Sequence, residues 1–193
     1  MLTELTLQLT AFPERAWPRF VALSGPGTAI GPALGRARLE LPSPLRHAVS
    51  AASASVVATG LGAMLRPGAS VAGVVLAALA ALVGYVGGTA CAVELSSRWI
   101  VAPDATPHAI SRFASGAVLP VALSGIPNVL PLVPLSLVLA LAGAAASAHS
   151  GWVGASAMLA LEGQPRKRAA AVPAGVAVGL VLLATLGRVV LPA

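Results

Sequence analysis

A chain of 193 residues in which 57% of side chains are hydrophobic and only 9% are charged stands far from soluble domains, where roughly a quarter of residues carry charge. That composition belongs to the membrane class. A net charge of +6 would suit a nucleic-acid binder in a soluble protein, but here the basic residues occupy the gaps between apolar runs, where they read as topology signals and argue against nucleic acid as a partner.

Aromatics make up only 4% of the chain, while Ala, Gly, Val and Leu dominate, so neighbouring helices are expected to approach closely through small side chains. The single cysteine, Cys91, lies in an apolar run, cannot form an intramolecular disulfide, and is expected to be buried and inert. Glu4 comes first in the chain, and Arg15 and Arg19 follow the early apolar residues. This order does not fit a cleaved signal peptide.

Residues 1–47 form the one extended region rich in charge and proline, expected to be a cytoplasmic N-terminal region. Leu2, Leu5, Leu9 and Phe12 recur at helical spacing and predict a short amphipathic helix lying in the membrane interface or docked on the bundle. Leu5, Leu7 and Leu9 also fit a strand, a disordered leader is the alternative, and Pro13 is expected to end either element. Gly25-Pro26-Gly27, Pro32, Pro42 and Pro44 predict a linker over residues 21–45.

From there to the end, five apolar segments predict an all-α polytopic bundle with crossings at about 48–65, 69–93, 113–129, 132–161 and 169–186. Gly84 and Gly88 in the second segment, and Gly175 and Gly179 in the fifth, are four residues apart and are candidate helix-packing positions. Glu94 and Arg98 follow the second segment at i and i+4, a spacing that allows an interfacial ion pair, although Glu94 is also a candidate intramembrane carboxylate. Thr106-Pro107 has the form of a helix start, with Thr as cap and Pro in the first turn. Trp99 is a natural headgroup anchor.

The stretch from Phe113 to Leu161 holds Pro120, Pro127, Pro131 and Pro134 and no Asp, Glu, Lys or Arg. It predicts a hairpin of two crossings, kinked at Pro120 and turning near Pro127 to Pro131. The segment 132–161 would run about 45 Å as one helix, well beyond a hydrocarbon core of about 30 Å. It must tilt, emerge or break, and His149-Ser150-Gly151 is the expected weak point. His149, the one histidine inside an apolar run, is the second candidate polar group within the membrane.

Five crossings with a cytoplasmic N-terminus and an outside C-terminus put ten of the twelve basic residues on the cytoplasmic side. Arg166, Lys167 and Arg168, expected in a short loop, are the main topology determinants, and Arg66 and Arg188 remain outside.

No catalytic, cofactor or metal site is apparent. His47, His108 and His149 are scattered without partner cysteines, and no glycine-rich phosphate loop or magnesium-holding Asp motif occurs. Gly154-Ala155-Ser156-Ala157 looks like the nucleophile motif of rhomboid proteases but lacks its final Gly, and no histidine occurs in the last segment to serve as base.

The order of parts resembles the Yip family, Ypt/Rab-interacting multispan proteins whose bacterial members are short five-helix chains. It rests on a polar N-terminal region, five apolar segments and a proline-marked junction, Leu119-Pro120 through Gly125-Ile126-Pro127 to Pro131, and it covers roughly residues 46–193. The Asp-Leu-x-Gly-Pro type sequence of eukaryotic members is absent. The resemblance implies a non-enzymatic protein that acts through helix contacts with other membrane proteins or itself, or influences membrane organisation, in contact with the lipid bilayer. The expected function is a structural or accessory subunit of a bacterial plasma (inner) membrane. The alternative is a small transporter or channel with a polar path near His149 and Glu94.

Overall fold

Prolines open four of the helices. The computed structural model describes residues 8, 11–23, 43–130 and 132–190. Its elements are α1 (Pro13–Leu23), α2 (Ser43–Met64), α3 (Val71–Trp99), α4 (Pro107–Leu123), a 3-10 turn (Ile126–Val129), α5 (Val133–Leu159) and α6 (Gly163–Val190), with no strand among the described residues. Pro13, Pro44, Pro107 and Pro134 each fall in a first turn, where a missing N–H costs nothing and the fixed φ suits the helix.

Those starts correct several expectations. Pro13 begins α1, and the element before it, in which Gln8 and Ala11 are helical, breaks at Phe12 as Pro13 was expected to require; α1 itself occupies residues expected to fall partly in a linker. Pro134 opens α5 and is neither kink nor turn. Leu2, Leu5, Leu9, the Gly25-Pro26-Gly27 break and Pro131 lie outside the described residues.

Boundaries shift for local reasons. Ser70 caps α3 by accepting from the Gly73 N–H at 3.0 Å, and Thr106 caps α4 by accepting from the Ala109 N–H at 3.2 Å. α4 therefore starts six residues before the expected crossing and stops at Leu123. α3 continues to Trp99 and takes Glu94 and Arg98 into its last turns. α6 begins at Gly163, so Arg166, Lys167 and Arg168 stand near the start of a helix and not in a loop. α5 passes through His149 unbroken and ends at Ala160, whose φ of 50° forms a left-handed cap.

α4 is the centre of the molecule. It packs against α2, α3, α5 and α6, and every residue from Phe113 to Ala122 is buried. Seventeen residues make a helix of about 25 Å, shorter than a hydrocarbon core of about 30 Å. Consecutive helices from α2 to α6 pack on one another, α3 also meets α6, and α1 lies on α5.

Among the described residues two helices are long and apolar enough to cross a membrane: α3, with mean hydropathy 2.1, and Pro134–Leu159 of α5, with 1.3. α2 is apolar over the shorter stretch Ala52–Met64. One core layer gathers Trp17, Phe113, Ala155, Leu159 and Ala169, and the next gathers Ala92, Val118, Ala144, Ala177 and Val181. The predominance of alanine is what lets α4 accept four neighbours, because small side chains bring backbones together without hydrophobic bulk.

Candidate functional site

The polar groups that converge lie at the C-terminal end of α4. A helix end leaves its last carbonyls without intrahelical partners, and α4 ends among other helices. The Ser55 hydroxyl from α2 donates to the Ala122 carbonyl, and the Ser124 hydroxyl donates to the Val121 carbonyl at 2.7 Å. Asn128 in the 3-10 turn donates through Nδ2 to Thr59 Oγ1 at 3.2 Å, and the Thr59 hydroxyl donates to the Ser55 carbonyl at 2.7 Å.

Two glycines make this approach possible. A Cβ on Gly62 would overlap the Asn128 carbonyl, and one on Gly125 would overlap the Tyr85 hydroxyl and Ser55. Ser55 precedes the end of α2 at Met64 by nine residues, so α4 stops about 14 Å short of that end along the axis. The expected outer turn is thus sunk against α2. Non-helical backbone packed among helices persists only where protein groups satisfy it. No periodicity marks Ser55, Thr59, Tyr85 or Asn128. The available signal was the coincidence of weakly polar residues in the first segment with an Asn in an otherwise apolar turn.

The expected polar residues sit elsewhere. Arg98 Nη2 and Glu94 Oε1 are 2.5 Å apart, an exposed i,i+4 ion pair, and Arg98 Nε also donates to Glu94 Oε1 at 2.7 Å. His149 is exposed on α5. Neither residue belongs to the cluster at the end of α4. Ser156 stands seven residues beyond His149, about 10 Å along the axis and beyond hydrogen-bonding reach. No group of three His, Cys, Asp or Glu side chains gathers among the described residues. Among the described residues the hydroxyls of Ser96, Ser147 and Ser150 are buried without a partner.

The four expected packing glycines divide. Gly88 is buried, and a Cβ there would overlap Leu180 of α6, which makes it the close contact between α3 and α6. A Cβ on Gly84, Gly175 or Gly179 would meet nothing within 4 Å. Cys91, expected to be buried, is exposed on α3.

Next to that contact, α3 and α6 diverge into an open apolar groove of about 400 Å³ lined by Leu95, Trp99, Ala171, Val172, Gly175 and Val176. It lies at the end of the bundle where α3 finishes and α6 begins. Arg166 turns away from it toward α5. Its guanidinium carbon lies 4.2 Å from the Trp152 ring centroid, and its Nε donates to the Trp152 carbonyl at 2.9 Å. Lys167 and Arg168 are exposed, and neither forms an ion pair among the described residues.

No protein-family model, curated protein or solved structure matches the chain.

Proposed function

We propose that the chain is a multi-pass integral membrane protein in which α2 to α6 cross the bilayer, acting as a non-enzymatic structural or accessory subunit through helix contacts. The carrying observation is the disposition of α3. Its most apolar window has mean hydropathy 2.1, yet only 6% of that window is buried inside the molecule. A core helix of a soluble protein would bury such a surface, whereas a helix in lipid presents it outward. Val71, Val75, Leu76, Leu79 and Val83 are all exposed along it.

In this arrangement α4 is shielded by its neighbours, which removes the need for it to match the bilayer in length. The positive-inside rule orients the bundle. Arg98, Arg112, Arg166, Lys167 and Arg168 stand at or near the end where α3 and α5 finish and α4 and α6 begin, and Arg66 stands at the other. The first end is then cytoplasmic. The Yip-type order of parts and a bacterial plasma membrane complete the proposal.

The open glycine faces at Gly84 and Gly179 support an accessory role, since they offer a partner helix close approach. The exposed positions of Glu94 and His149 favour this role over a transport path through them. The test is alkaline carbonate extraction of membranes followed by purification in gentle detergent with identification of co-purifying chains. The proposal expects retention in the membrane and a stoichiometric partner. Release into the soluble fraction overturns the membrane reading, and a clean homo-oligomer favours transport.

A further inference from the structure

The groove between α3 and α6 has a chemistry of its own. Its walls are apolar and include two positions with little or no side chain, Ala171 and Gly175, and a Cβ on Gly175 would meet nothing within 4 Å. The Leu180 contact with Gly88 lies one helical turn further along α6 from Val176. The indole of Trp99, 72% exposed, stands in its wall, a ring type that settles at headgroup level.

Basic groups follow from the same helix. Arg168, Val172 and Val176 are spaced four apart on α6, as are Lys167, Ala171 and Gly175. Side chains at this spacing share a face about 6 Å apart along the axis. The stripes that line the groove therefore run into two cations at its cytoplasmic end. The α6 N-terminus adds partial positive charge there. The nearby acid Glu94 is already paired with Arg98, and Glu162, in the connector before α6, is the remaining carboxylate close by in sequence.

We infer that this groove seats one acyl chain of an anionic phospholipid, whose phosphate is held by Arg168 and Lys167 and whose glycerol region lies against Trp99. An apolar trough ending in unpaired cations matches a molecule with a long hydrocarbon tail and a negative head, and basic pockets between helices on the cytoplasmic side are suited to such headgroups. A zwitterionic lipid offers the same tail without the net charge. The inference rests on the proposed membrane placement.

The experiment is native mass spectrometry of the full chain in detergent, with phosphatidylglycerol and phosphatidylcholine of identical acyl chains supplied at equal concentration. The unsubstituted chain is expected to carry phosphatidylglycerol at least fivefold over phosphatidylcholine. Lys167→Gln with Arg168→Gln should bring that ratio near one, and Gly175→Leu, placed where there is room for a side chain, should lower phosphatidylglycerol occupancy at least threefold. Arg168→Lys should keep the preference, which separates charge from folding. Equal binding of the two lipids, or a preference that survives the double substitution and Gly175→Leu, overturns the inference while leaving a membrane-retained chain intact. Displacement of the lipid by millimolar inorganic phosphate assigns the cations to a free anion and overturns it too. Carbonate release of the chain from membranes removes this inference together with the membrane reading.

Discussion

The indole Nε1 of Trp17 donates to the Ser150 carbonyl at 3.0 Å, joining two residues 133 positions apart. The same ring stacks on Phe113 with centroids 6.2 Å apart, so one side chain of α1 engages both α5 and α4. Trp17→Phe should cost about 1 kcal/mol for the lost hydrogen bond, and Trp17→Ala about 3–5 kcal/mol for the vacated volume. Thermal unfolding in detergent measures both. Limited proteolysis at Arg15 and Arg19 should accelerate in the Ala variant, because α1 loses its anchor.

Gly154 is the other half of that anchor. A Cβ there would overlap the Trp17 ring, so Gly154→Val should expel the indole and reproduce the Trp17→Ala phenotype. The pair should be strongly non-additive in a double-mutant cycle, with the double variant close to the worse single one. Full additivity would contradict the contact.

Glycines with different surroundings should respond in opposite directions. Gly62→Ala pushes a methyl into the Asn128 backbone, which has no rotamer with which to yield, and should cost about 1–3 kcal/mol. Gly175→Ala and Gly179→Ala meet open space and should be neutral or stabilising by about 0.5–1 kcal/mol through helix propensity. If Gly179→Ala strips a co-purifying chain from the complex, the open glycine face at that position is the interface.

Removal of the Ser55 hydroxyl leaves the Ala122 carbonyl without its cross-helix donor. Ser55→Ala should cost about 1–3 kcal/mol, the penalty for an unsatisfied buried acceptor. Hydrogen exchange should increase selectively over the 3-10 turn at residues 126–129 and leave α1 unchanged.

Orientation can be read by thiol labelling in a chain with Cys91→Ala. Arg66→Cys should react with an impermeant maleimide applied to intact cells, and Lys167→Cys only after permeabilisation. Labelling of Lys167→Cys from outside would invert the proposed topology.

Much of the helical layout was legible before any coordinates. Residue chemistry alone set the all-α class: read as crossings, the apolar runs admit few alternatives, because an unpaired backbone would be costly in lipid. The Thr106 cap and the i,i+4 pairing of Glu94 with Arg98 follow from local geometry, as side chains three or four residues apart meet on any helix. These relations needed no partner elsewhere in the chain.

What hydropathy could not decide was which apolar face is inside. Phe113 to Ala122 and Val71 to Val83 look alike as runs of hydrophobic residues, yet one is the buried hub and the other the outer surface. On the proposed membrane placement both environments accept the same side chains, so selection falls to shape complementarity across helices, a long-range property. The same reason hid the sunken turn at Asn128, the docking of Trp17 and the divergence of α3 from α6 that opens the groove. Sequence by itself determined that there are apolar helices and where basic residues punctuate them. The tertiary structure alone decided that α4 lies at the centre, that Gly88 is packed while Gly175 is open, and that Arg168 stands on the stripe that lines an apolar trough.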